Sequence, residues 1–386
     1  MARSSPRTIL VAGAMAGDPY QGGTAWSVLQ YILGLRALGH DVYFVEPIPS
    51  RKLRPVGASL RTSTSASYFR DIVRQFGLQT KAALLLRDAN DTVGCSYETL
   101  RTIAARTDVL INLSGALTDP GLLERIPIRL YVDLDPGFNQ LWHVCSIDVG
   151  FDRHTHFATI GLGLGEERCP VPKCDRAWIP TRQPIVLTEW PVAARQPEHA
   201  FTTSGSWRGL GSITHDGIYY GQKAHALRQF IALPSKSRQR MLLAFAPAPE
   251  ESKDVSRLTA EGWQWVDPET IAGTPDQYRD FVQSSFAEFG IAKSGYATSR
   301  CGWFSDRSVC YLASGRPVVA QETGFSAFLP TDEGLFAFET EDEALAAIDA
   351  VVGDYSRHSG AARRIAEEYF DANIVLPLLL ERVGVC

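Results

Sequence analysis

The sequence predicts an α/β architecture: two parallel-sheet domains facing one another across a ligand cleft. Three observations lead there. Both halves alternate short apolar strands with amphipathic helices, the pattern of βαβ units. Each half opens with a strand that runs into a glycine loop: Thr8 to Gly13 before Gln21-Gly22-Gly23, and Phe201 to Trp207 around Ser204-Gly205-Ser206. Between them, Trp178 to Val192 contains three prolines and joins the halves, which puts the domain boundary near residues 180 to 195. No repeat of roughly 20–50 residues is present, so solenoids and propellers are excluded.

Composition narrows the class. The 386 residues are 45% apolar and 21% charged, an ordinary globular balance in a chain long enough for two cores. A formal net charge of −5 argues against nucleic acid as the default partner. Seven cysteines are an odd count and no disulfide framework, as expected of a reducing compartment. Cys169 and Cys174 are close in sequence, but no second pair follows at a zinc spacing, so no metal is assigned. Basic residues and an apolar run open the chain, but Gly13, Asp18 and Pro19 make it a first buried strand rather than a signal sequence. No stretch approaches the ~18 apolar residues of a membrane span. A cytoplasmic location is expected.

Taken in order, Thr8 to Gly13 is a buried strand, and Thr24 is the N-cap candidate of a helix reaching Leu38, ended by Gly39. Asp41 to Val45 is the second strand. Residues 51 to 66 are basic and Ser/Thr-rich and predict a mobile loop. A helix and an apolar segment occupy 67 to 86, a helix 97 to 106, and strands 108 to 113 and 129 to 133. The latter delivers Asp133 and Asp135 at its carboxyl end, where either can act as a general base or simply cap a turn. Phe157 to Gly165 is a strand with a glycine-rich exit, and His156 just before it is a second base candidate. In the other half, strands are predicted at 201 to 207, 241 to 246, 262 to 266, 289 to 293 and 334 to 338, with helices at 223 to 232 and 275 to 285. Three helices close the chain at about 341 to 352, 354 to 370 and 373 to 383.

The stretch Ala292 to Phe325 carries the chemistry. Ser305 is an N-cap candidate for a helix whose free amides and positive dipole end face forward. Lys293 and Arg300 precede that helix, and Arg307 lies in its first turn beside Asp306 and Ser308. Cations converging on helix amides outline a phosphate or diphosphate site. The helix ends at Gly315, Arg316 to Ala320 is a short parallel strand, and Glu322-Thr323-Gly324 sit at its carboxyl end, where open sheets bind ligands.

Cys310-Tyr-Leu-Ala-Ser-Gly-Arg-Pro-Val-Val-Ala320 resembles the C-terminal half of the GT-B glycosyltransferases, in the family 1/4-like group with the pattern small residue, Gly, x, Pro-Val-Val-Ala, acidic, x, Gly. The first strand, its Gly-Gly loop and the later Gly39-His40-Asp41-Val42 turn resemble the start of the same enzymes. The resemblance implies two Rossmann-like domains: residues 1–185 on the acceptor side, 186–370 on the nucleotide-sugar side, and 371–386 crossing back onto the first. It implies a nucleoside-diphosphate sugar as co-substrate, no cofactor and no metal, since this fold stabilises the departing diphosphate with amides and basic side chains. It places Gly22, Gly23, Gly205, Trp207, Lys293, Arg300, Ser305, Arg307 and Ser308 around the donor, and Glu322, Thr323 and Gly324 at the sugar hydroxyls. The family's paired Glu signature is absent: its positions fall on Gly302 and Cys310. Asp306, one turn before Cys310 on the same helix face, is a candidate to hold the ribose instead. Trp263 and Trp265, on the strand whose exit meets the base in that fold, are base-stacking or core residues.

Other classes stay open. A non-hydrolysing nucleotide-sugar epimerase shares the fold. A non-catalytic nucleotide-sugar-binding protein would tolerate the lost Glu pair. A dinucleotide-dependent oxidoreductase would use Glu46 at the end of the second strand for ribose, though residues 13–17 are not a clean G-x-G-x-x-G.

Overall fold

Strand β1 (Thr8–Ala12) lies at the centre of the first sheet, and Ile9 to Ala12 have no exposed surface. The structure, a computed structural model, describes residues 5–87, 89–194, 198–209 and 211–385. After β1 come β2 (Asp41–Ile48), β3 (Ala82–Leu86), β4 (Thr92–Gly94), β5 (Val109–Leu113), β6 (Ile128–Asp133), β7 (His156–Thr159) and β8 (Trp178–Pro180). They form one sheet in the order β4-β3-β2-β1-β5-β6-β7-β8, parallel except for the β3–β4 pair. Next in the chain are β9 (Ala200–Ser204) and an antiparallel hairpin, β10 (Ile213–His215) with β11 (Ile218–Tyr220). Then follow β12 (Arg240–Ala244), β13 (Trp263–Trp265), β14 (Ala287–Gly290), β15 (Val318–Gln321) and β16 (Leu335–Phe338). The second sheet is wholly parallel, β13-β12-β9-β14-β15-β16. In each sheet the first strand has neighbours on both sides (β2 and β5, β12 and β14), so a topological switch point opens at its carboxyl end.

The two sheets are tied together by contacts on both sides of the cleft. Trp26 donates its indole N–H to the carbonyl of Pro275 at 2.8 Å and packs edge-on against Trp190. Tyr68 donates to the carbonyl of Gly273 at 2.8 Å. The last helix, Ala372–Arg382, lies against helix Gly22–Ala37, where Gly34 makes room for Leu376 and Ala372. No helix among the described residues is long and apolar enough to cross a membrane.

The structure departs from several expectations. Helix Gly22–Ala37 starts at the glycine pair, with Gln21 at the N-cap and no side-chain cap bond, so Thr24 is inside the first turn. Residues 51–66 contain two 3-10 turns that bury Leu53 and Leu60, followed by a helix from Thr64 capped by Ser63. Trp178–Pro180 is not connector but the edge strand β8, an edge being where a sheet tolerates proline. Strand β14 stops at Gly290, opposite Ala320, and a short helix, Ser294–Ser299, replaces the predicted strand end. The β10–β11 hairpin turns through Asp216-Gly217, both at positive φ, a two-residue signal that was legible.

Candidate active site between the two domains

The carboxyl ends of both sheets face a cleft with two joined lobes. The larger, about 500 Å³, is walled by Tyr31 and Asp135 on the first side and by Lys223, Lys293, Asp306 and Cys310 on the second. The smaller, about 400 Å³, shares Gly23, Gly205, Asp306 and Arg307 with it and runs on past Trp207 to Pro268 and Glu269.

Three cations meet here, and each is held differently. Lys223, the first residue of helix Lys223–Leu227, is 6% exposed and makes no hydrogen bond or ion pair among the described residues. Its ammonium position lies over the Phe245 ring, and Gly205 at φ +141 leaves the space that a Cβ would take 3.1 Å from its nitrogen. Burial, then the neighbouring Arg307, pushes the Lys223 pKa well below that of an ordinary lysine. Arg307 donates to the carbonyl of Ser204 at 2.9 Å and pairs with the fully buried Glu288. Burial, the largest influence, works against its charge, but Glu288 with Tyr278 and Tyr311 together outweigh it and raise its pKa. Lys293 bridges the domains: its ammonium is 2.8 Å from Asp135, which also accepts from the Tyr296 hydroxyl at 2.5 Å. Burial alone would raise the Asp135 pKa, yet the Lys293 charge and these bonds hold it below the usual carboxylate value.

Helix Asp306–Ala313 points its N-terminus into the same space. Ser305 is at the N-cap as expected, but its hydroxyl makes no capping bond; the Asp306 carboxylate instead accepts from the amides of residues 306 and 307. Asp306 is exposed to the cleft, and desolvation by the walls raises its pKa against the pull of Arg307. Cys310 is buried one turn on. Burial and then Asp306 raise its pKa well above the thiol value, so it stays protonated and cannot replace a carboxylate.

Of the residues singled out in the sequence, the structure places Asp135, Gly23, Gly205, Lys293, Ser305, Asp306 and Arg307 on the larger lobe, and Gly22 and Trp207 on the smaller. Gly22 and Gly23 do so by packing, not by facing an anion alone. A Cβ on Gly22 would sit 2.2 Å from the Thr274 carbonyl, and one on Gly23 2.8 Å from the Tyr278 ring.

The remaining candidates lie elsewhere. Arg300 turns away at φ 45 and pairs with Glu339 at 2.8 Å on the surface. Ser308 is buried on the side of its helix away from both lobes, against a small void beside Ala320. Glu322 accepts from the Gly324 amide and Thr323 donates to the Trp303 carbonyl, so this loop satisfies itself and none of its three residues lines either lobe. Asp133 is fully buried and accepts from Asn139 (2.6 Å), Gln140 (2.8 Å) and Thr159 (2.9 Å); burial lifts its pKa to about 6 despite those bonds. It braces the turn that carries Asp135, whose amide it also accepts at 3.1 Å. His156 is the first residue of β7 and bonds Thr155, at the sheet edge opposite the cleft. Trp263 is buried and donates to Ile231, and Trp265 donates to Thr259; neither lines a lobe. Glu46 is 1% exposed and accepts from the amides of Ala16 and Gly17 at 2.7 and 2.6 Å, which leaves it unavailable to a dinucleotide ribose.

Lys223 and Tyr296 were the residues missed. Lys223 opens a helix behind Gly221-Gln222, eighteen positions after Gly205, and only the β10–β11 hairpin folds it back to that loop. Tyr296 stacks on Trp303, centroids 4.1 Å apart, and reads from sequence as a core aromatic.

No protein-family model and no curated protein matches the chain. Solved structures do. An α-glucosyltransferase crystallised with UDP and a DNA 13-mer containing an HMU base aligns at TM-score 0.63 and 12% identity, over 98% of this chain and 100% of that one. HepE from Anabaena, in complex with UDP and glucose, aligns at 0.57 and 10% identity over 98% and 100%. AviGT4, a glycosyltransferase involved in avilamycin A biosynthesis, aligns at 0.53 and 14% over 98% and 97%. At such identities the likeness is one of fold, and together with the two facing parallel sheets it makes this a GT-B fold.

Proposed function

We propose that the chain is a glycosyltransferase that moves a hexosyl or pentosyl group from a nucleoside-diphosphate sugar to an acceptor, without a metal ion. The observation that carries this reading is the meeting of Lys223, Arg307 and Lys293 with the N-terminus of helix Asp306–Ala313 in an interdomain cleft. Rupture of the sugar–phosphate bond leaves negative charge on the diphosphate. Fixed cations and amides in a walled cleft stabilise that charge with little reorganisation. On this reading residues 186–370 hold the donor, residues 1–185 the acceptor, and 371–386 seal the two together. Asp306 takes the ribose hydroxyls, the protonated Cys310 thiol being no substitute for a carboxylate. Asp135 is the acceptor-side base: one oxygen is fixed by Lys293 and Tyr296, and no bond to the other is made among the described residues. The chain works in the cytoplasm, in keeping with the unpaired state of the six described cysteines.

Release of nucleoside diphosphate from UDP-, GDP-, ADP-, dTDP- and CDP-sugars, assayed in EDTA with water or added sugars as acceptors, tests the proposal. Turnover of one donor that drops at least ~100-fold in Asp135→Asn, with donor binding kept, is the expected result. Tight binding with no turnover of any donor would make the protein a binder instead.

A further inference from the structure

The smaller lobe identifies the base, given the donor reading above. Its near end is the shared Asp306 and Arg307, and its far end lies beyond the carboxyl ends of β12 and β13. There the walls are Ala244, Ala246, Pro268 and Ala272, small apolar groups that leave room for a two-ring base. Two charged side chains reach this end. Arg208 is paired with Glu251 and contacts His225 at 3.4 Å, so its charge is taken up within the second domain. Glu269, solvent-exposed where it lines the lobe, is the other, and its carboxylate makes no hydrogen bond or ion pair among the described residues. Nor does the local fold need that carboxylate: Asp267 caps helix Pro268–Ala272, accepting from the Glu269 amide at 3.1 Å and from Thr270 at 2.7 Å.

We propose that the donor is a guanine nucleotide whose base occupies this lobe with its Watson–Crick edge on Glu269. Guanine presents two adjacent donors, N1–H and the 2-amino group, and a carboxylate accepts both, one on each oxygen. Uracil and thymine present a single N–H between two carbonyl oxygens, which a carboxylate repels. Adenine and cytosine offer one amino group beside a ring nitrogen that is itself an acceptor. A solvent-exposed carboxylate without a protein partner among the described residues, lining a lobe with small walls, therefore ranks guanine first and uracil and thymine last. This departs from the UDP found in the two UDP-bound structures named above, whose likeness to this chain extends only to fold.

Calorimetric titration of GDP, IDP, ADP, CDP, UDP and dTDP in EDTA, on the wild type and on Glu269→Ala, tests the assignment. IDP lacks only the 2-amino group, so GDP should bind at least roughly tenfold more tightly than IDP, one charged hydrogen bond being lost. In Glu269→Ala that ratio should approach one, while unfolding temperature and the helix signal in circular dichroism stay unchanged. UDP or dTDP binding as tightly as GDP, or a GDP-to-IDP ratio that survives Glu269→Ala, overturns the base assignment and leaves the donor site standing. Failure of all six to bind overturns both.

Discussion

At the residue scale, Lys223 is the side chain with the least local justification, since burying an amine among other cations opposes folding unless something else compensates. A diphosphate supplies that compensation, and the consequence is proton linkage. With its pKa lowered by burial and by Arg307, Lys223 loses its proton more readily than an ordinary lysine, and a diphosphate beside it favours the protonated form, so binding is linked to proton uptake. Affinity for a nucleotide sugar, which has no titrating phosphate of its own near neutrality, should therefore weaken as pH rises, by up to about tenfold per pH unit above the resting pKa. Heats measured in HEPES and Tris above the resting pKa should report more proton uptake in the wild type than in Lys223→Met. An equal difference between the HEPES and Tris heats in both proteins would remove Lys223 from the donor site.

Glu46 makes a second prediction at this scale. Burial lifts its pKa to about 7, against the pull of the Ala16, Gly17 and Met15 amides. The folded value lies above the unfolded one, so the favourable contribution is complete at acid pH and is lost as pH rises through about 7. The stability of the wild type relative to Glu46→Gln should fall by on the order of 3 kcal/mol between pH 4.5 and 8. Denaturant unfolding of both proteins across that range is the check, and a flat difference would contradict it.

At the scale of elements, helices Gly22–Ala37 and Asp306–Ala313 define the cleft, and the first is seated by what it lacks. Gly22→Ala places a methyl group against the carbonyls of Thr274 and Ala272, backbone atoms that cannot turn aside. The expected result is a lower unfolding temperature, a loss of roughly 1–3 kcal/mol, with a larger radius of gyration by small-angle scattering as the domains part. Unchanged stability and size would mean that the two domains do not meet as described.

Much of this scale was legible. The strand and glycine loop at the head of each half, and the helix and Pro-Val-Val-Ala strand at 306–321, follow from the apolar pattern and the glycines, whereas the Thr24 cap and the hairpin before Lys223 did not. What was not legible depended on three dimensions. Arg300 and Arg307 look alike in sequence, but the left-handed turn at Arg300 aims it at Glu339. Glu322 and Thr323 stand at the right strand end, yet their polar groups close their own loop. His156 was misplaced by a matter of direction, since the first residue of a parallel strand lies at the edge opposite the ligand. Lys223 needed the hairpin before it to be recognised.

At the scale of the whole molecule, the account requires both domains at once. The first domain sets Asp135 on a turn braced by Asp133, and the second supplies the Lys293 and Tyr296 that hold it. On the reading proposed above, the converging cations are the seat of a nucleoside diphosphate. The most direct test is calorimetric binding of UDP, GDP, ADP, CDP and dTDP in EDTA, on the wild type and on Lys223→Met. One diphosphate binding the wild type without metal and at least ~30-fold more weakly to a folded Lys223→Met is the result predicted. Binding indifferent to that substitution, or no binding at all beside a clear response to NAD or NADP, would contradict the account.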